Sequence, residues 1–203
     1  TKIATSSDSA QEESKEEKTT LDATFAQVGL APWLIKNLKE VGIEKPTSIQ
    51  TETLKHSLKG KNVIGCAHTG SGKTACFALP VLQKLARDPY GIFALVITPT
   101  RELAYQINEQ FKTFSGQNLN LRTSVITGGV NMMLQASELS NIPHVVVGTP
   151  GRLVHQLKHD QFGFKEYLSN LQFLVLDEAD RMLTDPTIQE DLTYLLRAIK
   201  DVQ

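Results

Sequence analysis

From Leu21 onward, apolar positions fall into short β-branched runs separated by longer amphipathic stretches. Five runs predict strands: Asn62 to Cys66, Ile92 to Thr98, Arg122 to Thr127, His144 to Gly148, and Gln172 to Asp177. Roughly 20 to 30 residues separate successive runs, room for a helix in every gap, and near-continuous Val/Ile/Leu runs suit a parallel sheet covered on both faces. The expected architecture is a doubly wound α/β domain. In such sheets ligands collect beyond the carboxyl ends of the strands. At the far end, Ile188, Leu192, Leu195, Leu196 and Ile199 keep a helical period within Thr184 to Gln203. Residues 1 to 20 contain Ile3 as their only large aliphatic, too little apolar surface to offset the entropy of ordering. A disordered arm over 1–20 and a domain over 21–203 are therefore expected.

Composition narrows the class. The chain has 203 residues and 40% apolar content, enough for a core without disulfides or a structural metal. Its longest apolar runs fall far short of the ~20 residues that span a bilayer. Cys66 and Cys76 match neither a redox pair nor a metal knuckle, so buried free thiols are expected. No secretory leader pattern opens the chain, and its first residue is Thr1 rather than methionine. The net charge of −1 is uneven. The first twenty residues hold three lysines against five acids, or −2, which leaves +1 for the rest. A domain so nearly neutral would have to meet nucleic-acid phosphates with backbone amides, helix N-termini and a few placed arginines.

Two segments carry recognisable chemistry. After the first predicted strand stand Ala67, His68, Thr69, Gly70, Ser71, Gly72, Lys73 and Thr74, followed by a helical pattern through Leu85. Strand, glycine-rich loop, Lys-Thr and helix form a phosphate-binding P-loop, with Ala67 where the strict pattern has glycine. Its backbone N–H groups can cradle an anion, Lys73 can reach the β and γ phosphates, and Thr74 can ligate Mg²⁺. A plain Gly/Ser turn before a helix is the alternative. The second segment, Asp177-Glu178-Ala179-Asp180, leaves the end of the last predicted strand. Asp177 is a candidate for holding Mg²⁺ through water and Glu178 for polarising the attacking water; the alternative is an acid-rich helix N-terminus.

With these motifs on the page, the chain resembles the DEAD-box RNA helicases over about Phe25 to Leu183. The tetrapeptide Asp177 to Asp180 looks like the family signature. Pro99, Thr100 and Arg101, with Glu102 and Leu103, resemble the first RNA-contact motif, Gly128-Gly129 the paired glycines, and Thr149-Pro150-Gly151-Arg152 the second RNA-contact motif. Upstream, Pro46 to Gln50 with Gly42, and Phe25 seventeen residues before that glycine, resemble the adenine-reading motif. Chemically, the Gln50 amide can pair bidentately with adenine and Phe25 can stack on it; otherwise Gln50 is an exposed helix residue and Phe25 a core anchor. Arg101 and Arg152 each open a helix and can position a sugar-phosphate backbone without reading sequence, unless they form surface ion pairs. Glu102 reads as a brace between loops. Gly128 and Gly129 allow close approach of RNA, or simply end a strand.

The resemblance implies a RecA-like P-loop domain, a mostly parallel sheet with helices on both faces, and ATP and Mg²⁺ as cofactors. It implies Lys73, Asp177 and Glu178 in catalysis, and RNA bound through sequence-independent backbone contacts. A Ser-Ala-Thr segment and a second RecA-like domain with arginine fingers follow in the family. Neither is present by Gln203, so the chain is expected to be a fragment, nearly inactive alone. The further expectations are a monomer away from membranes, possible protein activators, and the nucleus or nucleolus as location with the cytoplasm as alternative. Asp88-Pro89-Tyr90-Gly91 and Pro143-His144 are similar to a nucleolar branch acting in small-subunit ribosome biogenesis. A DNA-directed helicase and a non-enzymatic RNA clamp of the same fold stay open.

Overall fold

The structure is a computed structural model that describes residues 24–117, 119–160 and 163–202; the arm expected over 1–20 lies outside the described residues. Two compact units divide at Gln83 and Lys84.

In the first unit, α1 (Pro32–Glu40) starts on a proline, whose fixed φ suits a first helical turn. Its apolar side buries Leu34 and Leu38. Helix α2 (Ser48–Ser57) is capped by Thr47, and α3 (Lys73–Leu85) occupies the span predicted after the glycine-rich loop. Gln83 ties α3 to the segment before α1: its Oε1 accepts from Ala31 N at 2.7 Å and its Nε2 donates to Gly29 O at 3.1 Å.

The predicted strand at Asn62 to Cys66 is not formed. The described part of this unit contains no other strand, so the run has no ladder to join, and Val63 and Ile64 are 40% and 102% exposed. Cys66 is exposed with it, contrary to the expected burial, and Cys76 is partly buried; both are free thiols.

The other four predicted strands form one parallel sheet in the second unit. They are β1 (Ala94–Ile97), β2 (Thr123–Ile126), β3 (Val145–Gly148) and β4 (Phe173–Leu176), in the order β2-β3-β1-β4. Every gap holds a helix, as expected: α4 (Arg101–Ser115), α5 (Met132–Ser140), then α6 (Pro150–Lys158) with the short α7 (Phe164–Tyr167). After β4 come α8 (Ala179–Thr184) and α9 (Pro186–Lys200).

The residues of β1 are all 0% exposed. Successive side chains point to opposite faces, so this strand is covered on both. One cluster collects Leu95, Ile97, Ile126 and Val146 from the sheet with Leu153 and Leu157 of α6 and Leu192 and Leu195 of α9. The outer strands differ: β2 alternates buried and half-buried positions, and β4 is half-buried, with Leu174 39% exposed. The Asp177-Glu178 pair therefore leaves an edge strand rather than a buried one.

Tyr90 and His144, from the two segments likened above to a nucleolar branch, brace the entry side of the sheet. Tyr90 donates from its hydroxyl to Asn170 O at 3.0 Å and meets Phe93 edge-on at 5.2 Å. His144 is buried; its backbone N donates to Arg122 O at 2.9 Å and its Nδ1 accepts from Arg122 N at 3.2 Å. Burial, and then the Arg122 charge, hold the ring below its ordinary pKa of 6.5.

Because the folded state disfavours the charged ring, its contribution to stability is complete above about pH 6.5 and is lost as pH falls through the depressed folded value. Thermal melts should therefore show a midpoint dropping between pH 7.5 and 5, with a shallower slope in His144→Gln. Equal slopes in the two proteins would show that another group drives the acid sensitivity.

Candidate functional site

The glycine-rich loop is organised by α2. The α2 cap is reciprocal: Thr47 Oγ1 accepts from Gln50 N at 3.4 Å while Gln50 Oε1 accepts from Thr47 N at 3.0 Å. The same two side chains then reach the loop. Thr47 Oγ1 donates to Ser71 O at 2.9 Å, and Gln50 Nε2 donates to Gly72 O at 3.1 Å. Gly72 sits at φ +86°, which favours glycine, and a Cβ there would push the Gln50 amide off Gly72 O. Gln50 is buried, yet its amide uses one N–H and one lone pair in these bonds. The second N–H and second lone pair keep the bidentate capacity that adenine pairing needs. Phe25 is 2% exposed and lies in the core of this unit; stacking on a base would require uncovering one face.

Along the loop, Thr69 and Gly70 are exposed, as is His68, and Ala67 is half-buried. Lys73 folds back so that its ammonium donates to Ala67 O and, at 3.3 Å, to His68 O. Ser71 Oγ is buried without a hydrogen-bond partner. Lys73 and Thr74 begin α3, where unpaired amides and the positive end of the helix favour an anion. An orphaned hydroxyl, an ammonium held by loop carbonyls and a helix N-terminus fit a nucleotide phosphate. Among the described residues no three acidic, histidine or cysteine side chains gather around a metal position. Mg²⁺ that arrives on phosphates takes only one or two protein oxygens, and the Thr74 hydroxyl belongs to that class.

In the second unit the sheet register sets the site. Thr98 N donates to Gly148 O at 3.0 Å, Thr149 N to Ile126 O at 3.0 Å, and Asp177 N to Ile97 O at 2.9 Å, so each motif starts from a pinned backbone. Thr100 caps α4, its Oγ1 accepting from Leu103 N at 3.3 Å. Pro150 opens α6 behind Thr149, the N-cap. Between these two helix starts lies a cleft of about 620 Å³. Pro99, Thr100 and Arg101 line it from one side, Thr149, Gly151 and Arg152 from another, and Gly128 from the end of β2.

Arg101 lies over the glycine pair. A Cβ on Gly128 would stand 2.9 Å from Arg101 Nη2, and one on Gly129, at φ +83°, would collide with Nη1. The close approach these glycines permit is thus made by the protein's own guanidinium. Arg152 Nη1 donates to Val130 O at 3.1 Å. Glu102, expected as a brace, is exposed and lines the cleft.

Met132 and His155 complete the lining. Neither stood out in the sequence, although His155 follows Arg152 by three positions and so shares its helix face. Glu178 adopts φ 52°, a left-handed conformation uncommon for a side chain of its size, and its Oε2 lies 3.5 Å from Arg181 Nη1.

Removing the Gln50 side chain should loosen the loop. Gln50→Ala leaves Gly72 O and Thr47 N without their partners, a cost of about 1 to 3 kcal/mol. Urea denaturation should register it as a lower midpoint at unchanged slope; an unchanged midpoint would mean that these bonds contribute nothing net.

Comparison with known proteins places these motifs in context. A profile of the family described as DEAD/DEAH box helicase matches residues 47–203. The chain is 50% identical over 182 residues to the Mus musculus protein named "Probable ATP-dependent RNA helicase DDX49", covering 87% of this chain and 36% of that one. It is 51% identical over 169 residues to the Schizosaccharomyces pombe ATP-dependent RNA helicase dbp8, covering 83% and 37%. With the Candida albicans ATP-dependent rRNA helicase RRP3 it shares 51% identity over 162 residues, covering 79% and 29%. The chain spans about a third of the length of these relatives.

Proposed function

The chain belongs to the DEAD/DEAH box helicase family, and from that premise we propose that it is the ATP-binding RecA-like domain of an ATP-dependent RNA helicase that remodels RNA during ribosomal RNA processing, in the nucleus or nucleolus. The observation that carries the RNA reading is the cleft, where Arg101, Arg152 and two helix starts converge. That chemistry grips a sugar-phosphate strand without reading its sequence. The names of the relatives support the rRNA assignment.

On the nucleotide side, Lys73 leaves its loop carbonyls to neutralise the β and γ phosphates, and the loop amides hold their oxygens. Gln50 recognises adenine with the amide valences left over from its two loop-ordering bonds, and Phe25 supports the base. The Thr74 hydroxyl would hold Mg²⁺, which would supply neutralisation of the developing phosphate charge; Asp177 is the residue that the family resemblance would assign to the metal through water. Glu178 orients and polarises the attacking water. Its left-handed backbone fits that role, since strained conformations persist where a side chain must be aimed.

A second RecA-like domain in the same polypeptide supplies the arginine finger, worth on the order of 10³ to 10⁵ in rate. Unwinding and RNA-stimulated turnover are then properties of the two-domain protein, in which protein activators can act on the pairing of domains.

Calorimetry on residues 1–203 tests the nucleotide half: ADP should bind roughly tenfold or more tightly than GDP, the worth of one bidentate base contact of about 1 to 3 kcal/mol. Equal affinities would remove Gln50 from base recognition. Lys73→Ala should weaken ATP binding by about 1.5 to 3 kcal/mol. In a polypeptide carrying both domains, Glu178→Gln should retain nucleotide and lose RNA-stimulated hydrolysis; full turnover in that variant would end the assignment of Glu178 to the water.

A further inference from the structure

The cleft contains one titratable ring that the RNA reading does not use. His155 is half-exposed and stands on α6 three residues after Arg152 and four after Gly151, on the face turned to the cleft. One turn further on, at the C-cap of the helix, the His159 ring lies 4.4 Å from it, tilted by 36°. A ridge of Arg152, His155 and His159 thus runs out of the cleft along α6.

The charged groups around this ridge come from each element packed on it. Arg101 and Glu102 face it across the cleft from α4. On α9, the Asp191 carboxylate would stand 3.0 Å from a Cβ on Gly151, and Lys158 of α6 places its ammonium 5.0 Å over the Tyr194 ring. Helix α7 contributes Lys165 and Glu166, both exposed.

We propose that His155 is a proton-linked positioning residue of the RNA track: its ring N–H contacts a phosphate of the single strand held by Arg101 and Arg152, so that strand binding favours the protonated ring. The proposal rests on the RNA reading of the cleft and goes beyond it. Arg101 and Arg152 stay charged at all accessible pH values, so neither can make strand binding depend on pH. An imidazole beside Arg152 can. In the free protein, partial burial first, then the charges of His159 and Arg152, hold its pKa below the ordinary 6.5. A phosphate seated in the cleft reverses the balance, because an anion within a few ångström favours the charged ring. Binding is then linked to proton uptake, and affinity rises as pH falls. If the strand raises the pKa by one unit, the gain between alkaline and acid limits is about tenfold.

The test is an NMR titration of the histidine rings in residues 1–203, with and without a ten-residue oligouridylate at low salt, repeated in His159→Gln to isolate the His155 signal. The His155 pKa should rise by about half a unit or more with the oligonucleotide present, in both proteins. His155→Gln should bind oligouridylate with a flatter pH dependence, and His155→Arg should bind at pH 8 as the unsubstituted protein does at pH 6. A histidine that merely packs on α6 would titrate identically in both states. If the amides around Arg152 shift with oligonucleotide while the His155 pKa does not, the proposal is wrong and the RNA reading survives. If no cleft resonance responds, the RNA reading fails and takes this proposal with it.

Discussion

The parallel register of four short strands is the constraint from which the second unit follows. Ile97 of β1 is level with Gly148 of β3 and Leu176 of β4, and Gly148 is level with Ile126 of β2. Parallel strands in register must end together on one edge. The next residues on each strand are therefore neighbours however far apart they lie in sequence: Thr98 to Arg101, Thr127 to Gly129, Thr149 to Arg152, and Asp177 with Glu178. Burial of β1 and β3 on both faces makes a slip expensive, because every shifted side chain would lose the close packing its position fits. The cleft inherits its precision from the hydrophobic packing beneath it.

Among its described residues the first unit has no sheet to impose such order, and side-chain hydrogen bonds do the work instead. Thr47 and Gln50 close the start of α2 and hold Ser71 O and Gly72 O with the same groups. The cap of one helix is thereby also the clamp on the loop that begins another. Polar atoms so placed are costly when unpaired and restrictive when paired. The result is a loop fixed at Ser71 and Gly72 while His68 to Gly70 remain exposed.

Hydrophobic periodicity made most of this fold legible. Four β-branched runs became strands within a residue or two, and the helix after Lys73 ended at the expected Leu85. The fifth run failed for a physical reason: Val63 and Ile64 have strand propensity, but propensity without a neighbouring strand secures no ladder hydrogen bonds. Residues of the cleft were readable wherever a turn signal such as Pro-Thr-Arg or Thr-Pro-Gly-Arg followed a strand. His155 and Met132 were not, because their relevance arises from packing between elements and they carry no local signature. The paired glycines illustrate a middle case. Their need for close approach was legible, but which group approaches was not, and a long Arg101 side chain arriving from another strand end is information only the register supplies.

Near-neutral charge outside the first twenty residues then explains the style of the cleft. With +1 there, long-range attraction to a polyanion is weak, and affinity has to come from a few groups held where phosphates will lie. Flexible arginines lose rotamer freedom on binding, about 0.5 to 1.5 kcal/mol for each side chain immobilised. Here Arg152 is already tethered to Val130 O, and Arg101 already lies against the glycine backbone. Much of that entropy is lost on folding, where the core offsets it, and little remains to be lost on binding. On the proposed RNA reading, a surface built this way would hold any strand of the right backbone geometry, with few bonds to distinguish one sequence from another.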